Sequence, residues 1–157
     1  CFVPDGDYVH FLREYGGVDL TPGDFVDRDG HVLGRHKGLP CYTTGQRKGL
    51  GVSAGKHVYV LRKNAADNTI LLGDDQDLFT SDLTANRVNW ISGAPPAAPL
   101  RVTAKTRYSQ TEAAATVTPL PDDRIRVTFD TPQRAITAGQ AVVLYQDEVT
   151  LGGGTIE

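Results

Sequence analysis

The sequence predicts a mainly β protein: a small mixed α/β domain followed by an antiparallel β-barrel. Three observations predict it. Short apolar runs of period two recur along most of the chain, the pattern of half-buried strands. Seventeen glycines and nine prolines punctuate those runs within 157 residues, which favours turns over long helices. The stretch "DDQDLFTS", Asp74 to Ser81, separates a mixed first part from an all-β second part. The expected domains are therefore residues 1–77 and 78–157.

Each element has a local reason. Tyr8, Phe11, Leu12 and Tyr15 fall at i, i+3, i+4 and i+7 and share one face of a helix. Asp5 or Asp7 caps that helix and Gly16-Gly17 stops it. "DFVDRDGHVLG" reads as two strands around the turn signal Asp29-Gly30. Val58–Leu61 and Ile70–Leu72 form a second hairpin candidate. Further strands are expected at Arg87–Ile91, Arg101–Tyr108, Ala114–Leu120, Arg124–Phe129 and Ala141–Tyr145, with a short one at Val149–Leu151. Pro95, Pro96 and Pro99 end the run after Trp90, and "PDD", Pro121 to Asp123, is a turn. Strands at this spacing predict a closed or nearly closed barrel.

Composition limits function. At 39% hydrophobic and 22% charged, the chain can build a core. No apolar run approaches the ~20 residues that span a bilayer, so no membrane partner is expected. Two cysteines without disulfide-type spacing favour a reducing, cytoplasmic setting. The net charge of −3 argues against nucleic acid, but the charges are segregated. No Asp or Glu occurs from His31 to Ala66, which carries Arg35, Lys37, Arg47, Lys48, Lys56, Arg62 and Lys63. None occurs from Leu83 to Thr111, which carries Arg87, Arg101, Lys105 and Arg107. Such blocks make either a basic face or scattered solvated charge.

The chemistry-bearing candidates are few. "GRHKGLPCYTTGQRKGLG", Gly34 to Gly51, combines glycines with cations, and glycine lets backbone amides approach an anion closely. It lacks the Lys-Ser/Thr end of a nucleotide phosphate loop, so an extended anion such as RNA suits it better. Arg35, Lys37, Gln46, Arg47 and Lys48 are its candidate RNA-facing residues. His10, His31, His36 and His57 form no recognised metal-ligand spacing, so no metal is expected. His36, among cations, suits a phosphate or backbone role. Cys41 reads as a packed thiol. Cys1 has three readings: a small buried hydrophobe, an N-terminal nucleophile using the chain's own α-amine, or a thiol whose partner lies upstream. In "KTRYSQ", strand alternation puts Lys105 and Arg107 on one face, with Thr106 and Tyr108 on the other. That arrangement is either an exposed strand face with Tyr108 half in the core, or a phosphate contact by Arg107 and a base or ribose contact by Tyr108 near the strand end.

Taken together, "CFVPDGDYVHFL", "GHVLGRHKGLPCYTTGQRKGLG", "VYVL", "VNWI", "KTRYSQ", "VTFDTPQRAITAGQAVVLY" and "LGGGTI" resemble successive motifs of the bacterial-type tRNA-specific 2-thiouridylases (the MnmA family). The resemblance covers nearly the whole chain and only the second half of that family. It implies ATP-dependent adenylation of the wobble uridine at C2, then sulfur transfer from a cysteine persulfide, in tRNAs for Lys, Glu and Gln. It implies that Cys1 carries the persulfide, that Arg107, Tyr108 and Gln140 contact tRNA, and that a sulfur-carrier protein or cysteine desulfurase supplies sulfur. ATP and Mg belong to the parent's N-terminal domain, and no cofactor is expected in this chain. The "GGVD" at Gly16 to Asp19 only echoes the family's "SGGVDS" loop, because Tyr15 and Leu20 replace both serines. The chain by itself is expected to be inactive. An RNA- or protein-docking barrel without a catalytic role and an N-terminal-cysteine hydrolase remain the rival readings.

Overall fold

The computed structural model describes residues 10–11, 14, 20–53 and 55–157. Cys1 and, within the expected N-terminal helix, Asp5, Asp7, Tyr8, Leu12 and Tyr15 lie outside the described residues. His10, Phe11 and Glu14 have helical backbone, and His10 Nε2 meets Glu14 Oε2 at 2.7 Å across one turn. Among the described residues, no helix is long and apolar enough to cross a membrane. The chain divides into two compact units, Cys1–Leu78 and Phe79–Glu157.

The first unit holds a four-stranded mixed sheet in the order β2-β1-β4-β3. Its strands are β1 (Gly23–Val26), β2 (Val32–His36), β3 (Tyr59–Asn64) and β4 (Thr69–Gly73). The expected hairpins form: β1 pairs antiparallel with β2 and β3 with β4, while β1 and β4 run parallel. The Asp27 carboxylate builds the first turn. Its Oδ1 accepts from the Asp29 and His31 amides at 2.9 Å each, and Gly30 supplies the left-handed residue at φ 84°.

Phe25, Tyr42, Leu50, Val58, Val60, Ile70 and Leu72 form this unit's core. His36 is 1% exposed. Its Nε2 donates to the Asn68 carbonyl at 3.1 Å and its Nδ1 accepts the Gly38 amide at 3.1 Å. Both ring nitrogens are taken up by backbone groups, so the role of His36 is to the backbone rather than to phosphate. Gly23 permits this packing, since a Cβ there would lie 2.0 Å from the Asn68 carbonyl oxygen and 2.6 Å from His36 Nε2.

The second unit is a closed barrel in the order β10-β5-β8-β7-β6-β9, antiparallel at every pair. The strands are β5 (Phe79–Trp90), β6 (Leu100–Lys105), β7 (Ala113–Leu120), β8 (Arg124–Arg134), β9 (Ala141–Gln146) and β10 (Val149–Ile156). Alternation fills the interior. Ile125, Val127 and Phe129 point inward from β8, Val102 and Ala104 from β6, and Val142 and Leu144 from β9.

Three barrel strands run at least five residues beyond their sequence signal. β5 begins at Phe79, inside the stretch expected to be a break, because Phe79 and Thr80 pair with Arg134 and Gln133 of β8, and Thr128 Oγ1 donates to the Asp82 carboxylate at 2.6 Å within the sheet. β8 runs on to Arg134. β10 runs to Ile156 through Gly152-Gly153-Gly154, where backbone approach forbids side chains: a Cβ on Gly153 would lie 2.5 Å from the Val142 carbonyl oxygen. β6 is shorter than expected, ending at Lys105. The Gln110 side chain takes the Thr106 amide at 3.2 Å, which substitutes for a ladder partner and turns the chain.

Ion pairs fasten the barrel exterior. Arg101 grips Asp130 with two bonds of 2.8 and 2.7 Å, and Arg124 grips Glu157 at 3.2 and 2.7 Å. These guanidinium bonds hold the Asp130 and Glu157 carboxyls below the usual carboxylate range. A folded pKa below the unfolded value, about 4 for these groups, adds stability above that pH and loses it as pH falls through the folded pKa. The barrel's melting temperature is therefore expected to drop as pH falls below about 4. In Asp130→Asn that decline is shallower, measured by circular dichroism melts from pH 7 to 2.5. A parallel decline in both proteins would contradict the assignment to this pair.

Candidate nucleic-acid interface

Two motifs far apart in sequence meet at one end of β6. After Lys105 the chain turns through Thr106–Gln110, closed by the Gln110 amide donating to the Arg107 carbonyl at 3.2 Å. The segment between β8 and β9 runs from Ala135, left-handed at φ 54°, to Gln140. Arg107 joins the two: its Nη2 donates to the Ala135 carbonyl and lies 3.5 Å from Thr137 Oγ1. A cavity of about 450 Å³ opens here, lined by Lys105, Arg107, Tyr108, Gln140 and Tyr145 among others. Arg107, Tyr108 and Gln140 thus border one depression.

The placement of two of these residues differs from the strand-alternation expectation. Tyr108 is 104% exposed and belongs to a turn, so it is not half in the core. Arg107 is part-buried and already binds backbone, so it is not a free cation on a strand face.

Polar satisfaction around the cavity is incomplete. Among the described residues, three buried side-chain atoms have no hydrogen-bond partner: Asn86 Oδ1, Arg107 Nε and Gln140 Oε1. Two of the three belong to this cavity, one a donor and one an acceptor. Lys105 Nζ sits 5.5 Å from the Tyr145 ring centroid and 3.4 Å from Glu112 Oε1. Glu112 also accepts from Thr103 Oγ1 at 2.7 Å, and that bond, with the lysine, holds its carboxyl below the usual range.

The glycine-rich loop of the first unit is tied to β3. The Gly45 amide donates to the Val60 carbonyl at 2.7 Å, and the Val60 amide to the Gln46 carbonyl at 2.9 Å. Gln46 braces the loop from within, accepting the Thr43 amide at 3.0 Å and donating to the Lys48 carbonyl at 3.0 Å. Lys37, Arg47 and Lys48 are exposed. Arg35 is exposed as well, 3.9 Å from Asp24. The loop therefore presents cations, while the Gly45 and Gln46 amides bond inward, to Val60 and Thr43. Cys41 packs against the core with its Sγ 3.9 Å from the Lys37 carbonyl oxygen. Sequence spacing did not anticipate the approach of Asp27, Asp29 and His31, whose ligand-type atoms lie within 4.8 Å of one another. Asp27 already holds the β1–β2 turn through the Asp29 and His31 amides and the His31 ring.

Comparison with known proteins places both units. The tRNA methyl transferase PRC-barrel domain family matches residues 9–74, and the Aminomethyltransferase beta-barrel domain family matches residues 80–156. Across 157 residues the chain is 49% identical to a tRNA-specific 2-thiouridylase MnmA of Acetivibrio thermocellus, with all of this chain and 44% of that protein aligned. A tRNA-specific 2-thiouridylase MnmA of Desulfitobacterium hafniense is 50% identical over 165 residues, covering 99% of this chain and 45% of its own length. One from Clostridioides difficile is 47% identical over 157 residues, with 100% and 44% covered. The chain spans less than half the length of these relatives. Identity near one half along the entire chain, in register with a domain family on each unit, means that the chain belongs to the tRNA-specific 2-thiouridylase (MnmA) family and corresponds to its C-terminal part.

Proposed function

We propose that the chain is the tRNA-gripping, sulfur-bearing part of a tRNA-uridine 2-sulfurtransferase that thiolates C2 of the wobble uridine. The observation that carries the tRNA grip is the cavity that Arg107 and Gln140 line beside a fully exposed tyrosine. A nucleobase edge offers both an acceptor and a donor, and its face stacks on an aromatic ring. Lys105 adds a cation for the adjoining phosphate, and the exposed Arg35, Lys37, Arg47 and Lys48 add backbone contacts from the first unit. The substrates are tRNAs for Lys, Glu and Gln.

The Cys1 thiolate attacks the outer sulfur of a persulfide on a sulfur-carrier protein or a cysteine desulfurase, whose own thiolate leaves. The Cys1 persulfide then attacks the activated C2 of the uridine, and the C2–O bond breaks. A second thiol of the parent protein cleaves the S–S bond and ends as a disulfide with Cys1. Adenylation of the uracil oxygen needs ATP and Mg, and the residues of this chain do not fit that group. The glycine loop's Gly45 and Gln46 amides bond to Val60 and Thr43, and the "GGVD" stretch lacks its serines. The chain alone accordingly forms no 2-thiouridine. Its own contribution is to bind and orient RNA and to carry the sulfur on Cys1.

Gln140→Leu tests the reading. Removing an unsatisfied buried acceptor leaves the barrel's melting temperature unchanged or raises it. The same change weakens binding of an unmodified tRNA transcript by about tenfold, through loss of the complementary partner. Fluorescence anisotropy at several salt concentrations reads the affinity, since phosphate contacts make it salt-dependent. Wild-type affinity in Gln140→Leu would sink the assignment of this cavity to RNA.

A further inference from the structure

We infer that Thr106, Gln110 and Gln133 form a hydrogen-bonded strap that sets the position of Tyr108 beside the cavity, so that Gln110 and Gln133, which do not line the RNA site, control its affinity through Thr106, which does. The inference rests on the reading of this cavity as an RNA site. Tyr108 is 104% exposed, so nothing packed against the ring holds it in place. Its position is set by the turn that carries it. Thr106, which opens the turn, is one of two buried polar residues among those described and is 1% exposed. Both its amide and its hydroxyl donate to Gln110 Oε1, at 3.2 and 2.8 Å. Gln110 Nε2 then donates to Gln133 Oε1 at 2.6 Å, and Gln133 Nε2 to the Thr131 carbonyl at 2.6 Å.

The direction of this chain is dictated at both ends. A backbone N–H can only donate, so Gln110 must turn its oxygen to Thr106 and its nitrogen to Gln133. A backbone carbonyl can only accept, so Gln133 must turn its nitrogen to Thr131. Neither amide can flip without losing two bonds. The strap uses the part of β8 that outruns β7. The last β7–β8 pair at this end is Ala115–Phe129, yet β8 continues to Arg134 alongside β5. The overhang places Gln133 against the turn between β6 and β7. Arg107 ties the turn to Ala135, just past the end of β8. Tyr108 lies in sequence between the two tied residues, Arg107 and Gln110.

A positioning role differs from simple support because its effect disappears when the positioned group is gone. Gln133→Leu keeps the side chain's size and removes its hydrogen bonds. In the 157-residue chain it is expected to weaken binding of an unmodified tRNA transcript about fivefold, the scale of one lost hydrogen bond. The slope of affinity against salt stays the same, because no phosphate contact is lost. In a Tyr108→Ala background, Gln133→Leu adds less than about twofold, since coupled residues are not additive. Gln110→Glu gives the same contrast if Gln133→Leu destabilises the barrel: it keeps both Thr106 bonds and sets a carboxylate oxygen against Gln133 Oε1. Wild-type affinity in both strap variants, or a fivefold loss that persists without Tyr108, overturns the strap alone. Wild-type affinity in Tyr108→Ala overturns the RNA reading and the strap together.

Discussion

Tyr108→Ala is expected to weaken tRNA binding by roughly 5- to 100-fold while leaving the barrel's melting temperature unchanged. The two halves of that expectation have separate causes. Base–aromatic stacking is worth about 1–3 kcal/mol per base by alanine substitution. The Tyr108 ring is fully exposed, so its removal takes no packing from the folded state, and surface changes of that kind stay within about 0.5 kcal/mol. Tyr108→Phe keeps the stacking face and retains most of the affinity. The salt dependence is unaltered in either variant, because a neutral ring releases no counterions. Equal losses in Tyr108→Ala and Tyr108→Phe would assign the effect to the hydroxyl and defeat the stacking account.

The sequence showed Tyr108 as a candidate but misplaced it, and the reason is physical. Period-two alternation carries no information about where a strand ends when a side chain replaces the ladder. Gln110 does this for Thr106, and the pattern "KTRYSQ" continues regardless. The barrel itself was legible wherever alternation was clean, as in β7, β8 and β9, and the β1–β2 hairpin was legible from Asp29-Gly30. β10 was cut short because three consecutive glycines erase alternation; the sheet needs them where backbones crowd.

Charge segregation was legible in part. The acid-free stretch from Leu83 to Thr111 does supply Lys105 and Arg107 to the cavity. Antiparallel register, however, brings Asp130 to Arg101 and Glu112 to Lys105, acids that lie outside that stretch in sequence. The meeting of Arg107 with Gln140 was available only through resemblance, since nothing local links positions on either side of two intervening strands. Gln110 and Gln133 carried no signal at all: an amide's role depends on what faces it.

Phe25→Ala is expected to unfold the first unit and leave the barrel standing. Phe25 is fully buried, with its ring edge-on to Tyr42 at 5.1 Å and to His36 at 5.6 Å. Deleting such a ring costs about 3–5 kcal/mol, of the order of a small domain's whole stability. The cavity also undercuts His36, whose two ring bonds hold Gly38 and Asn68 and so the entry to the basic loop. The barrel has its own core of twelve buried residues and shares none of them with this cluster. Its amide resonances should therefore persist in a two-dimensional NMR spectrum while those of residues 20–73 collapse. Binding then separates the two contributions. With Arg35, Lys37, Arg47 and Lys48 no longer presented by a folded loop, the log–log salt slope for tRNA should flatten by about one unit per lost phosphate contact. The Tyr108-dependent part of the affinity should remain. If the slope is unchanged in a protein whose first unit is unfolded, the basic loop has no role in gripping RNA, and the barrel cavity carries the whole of it.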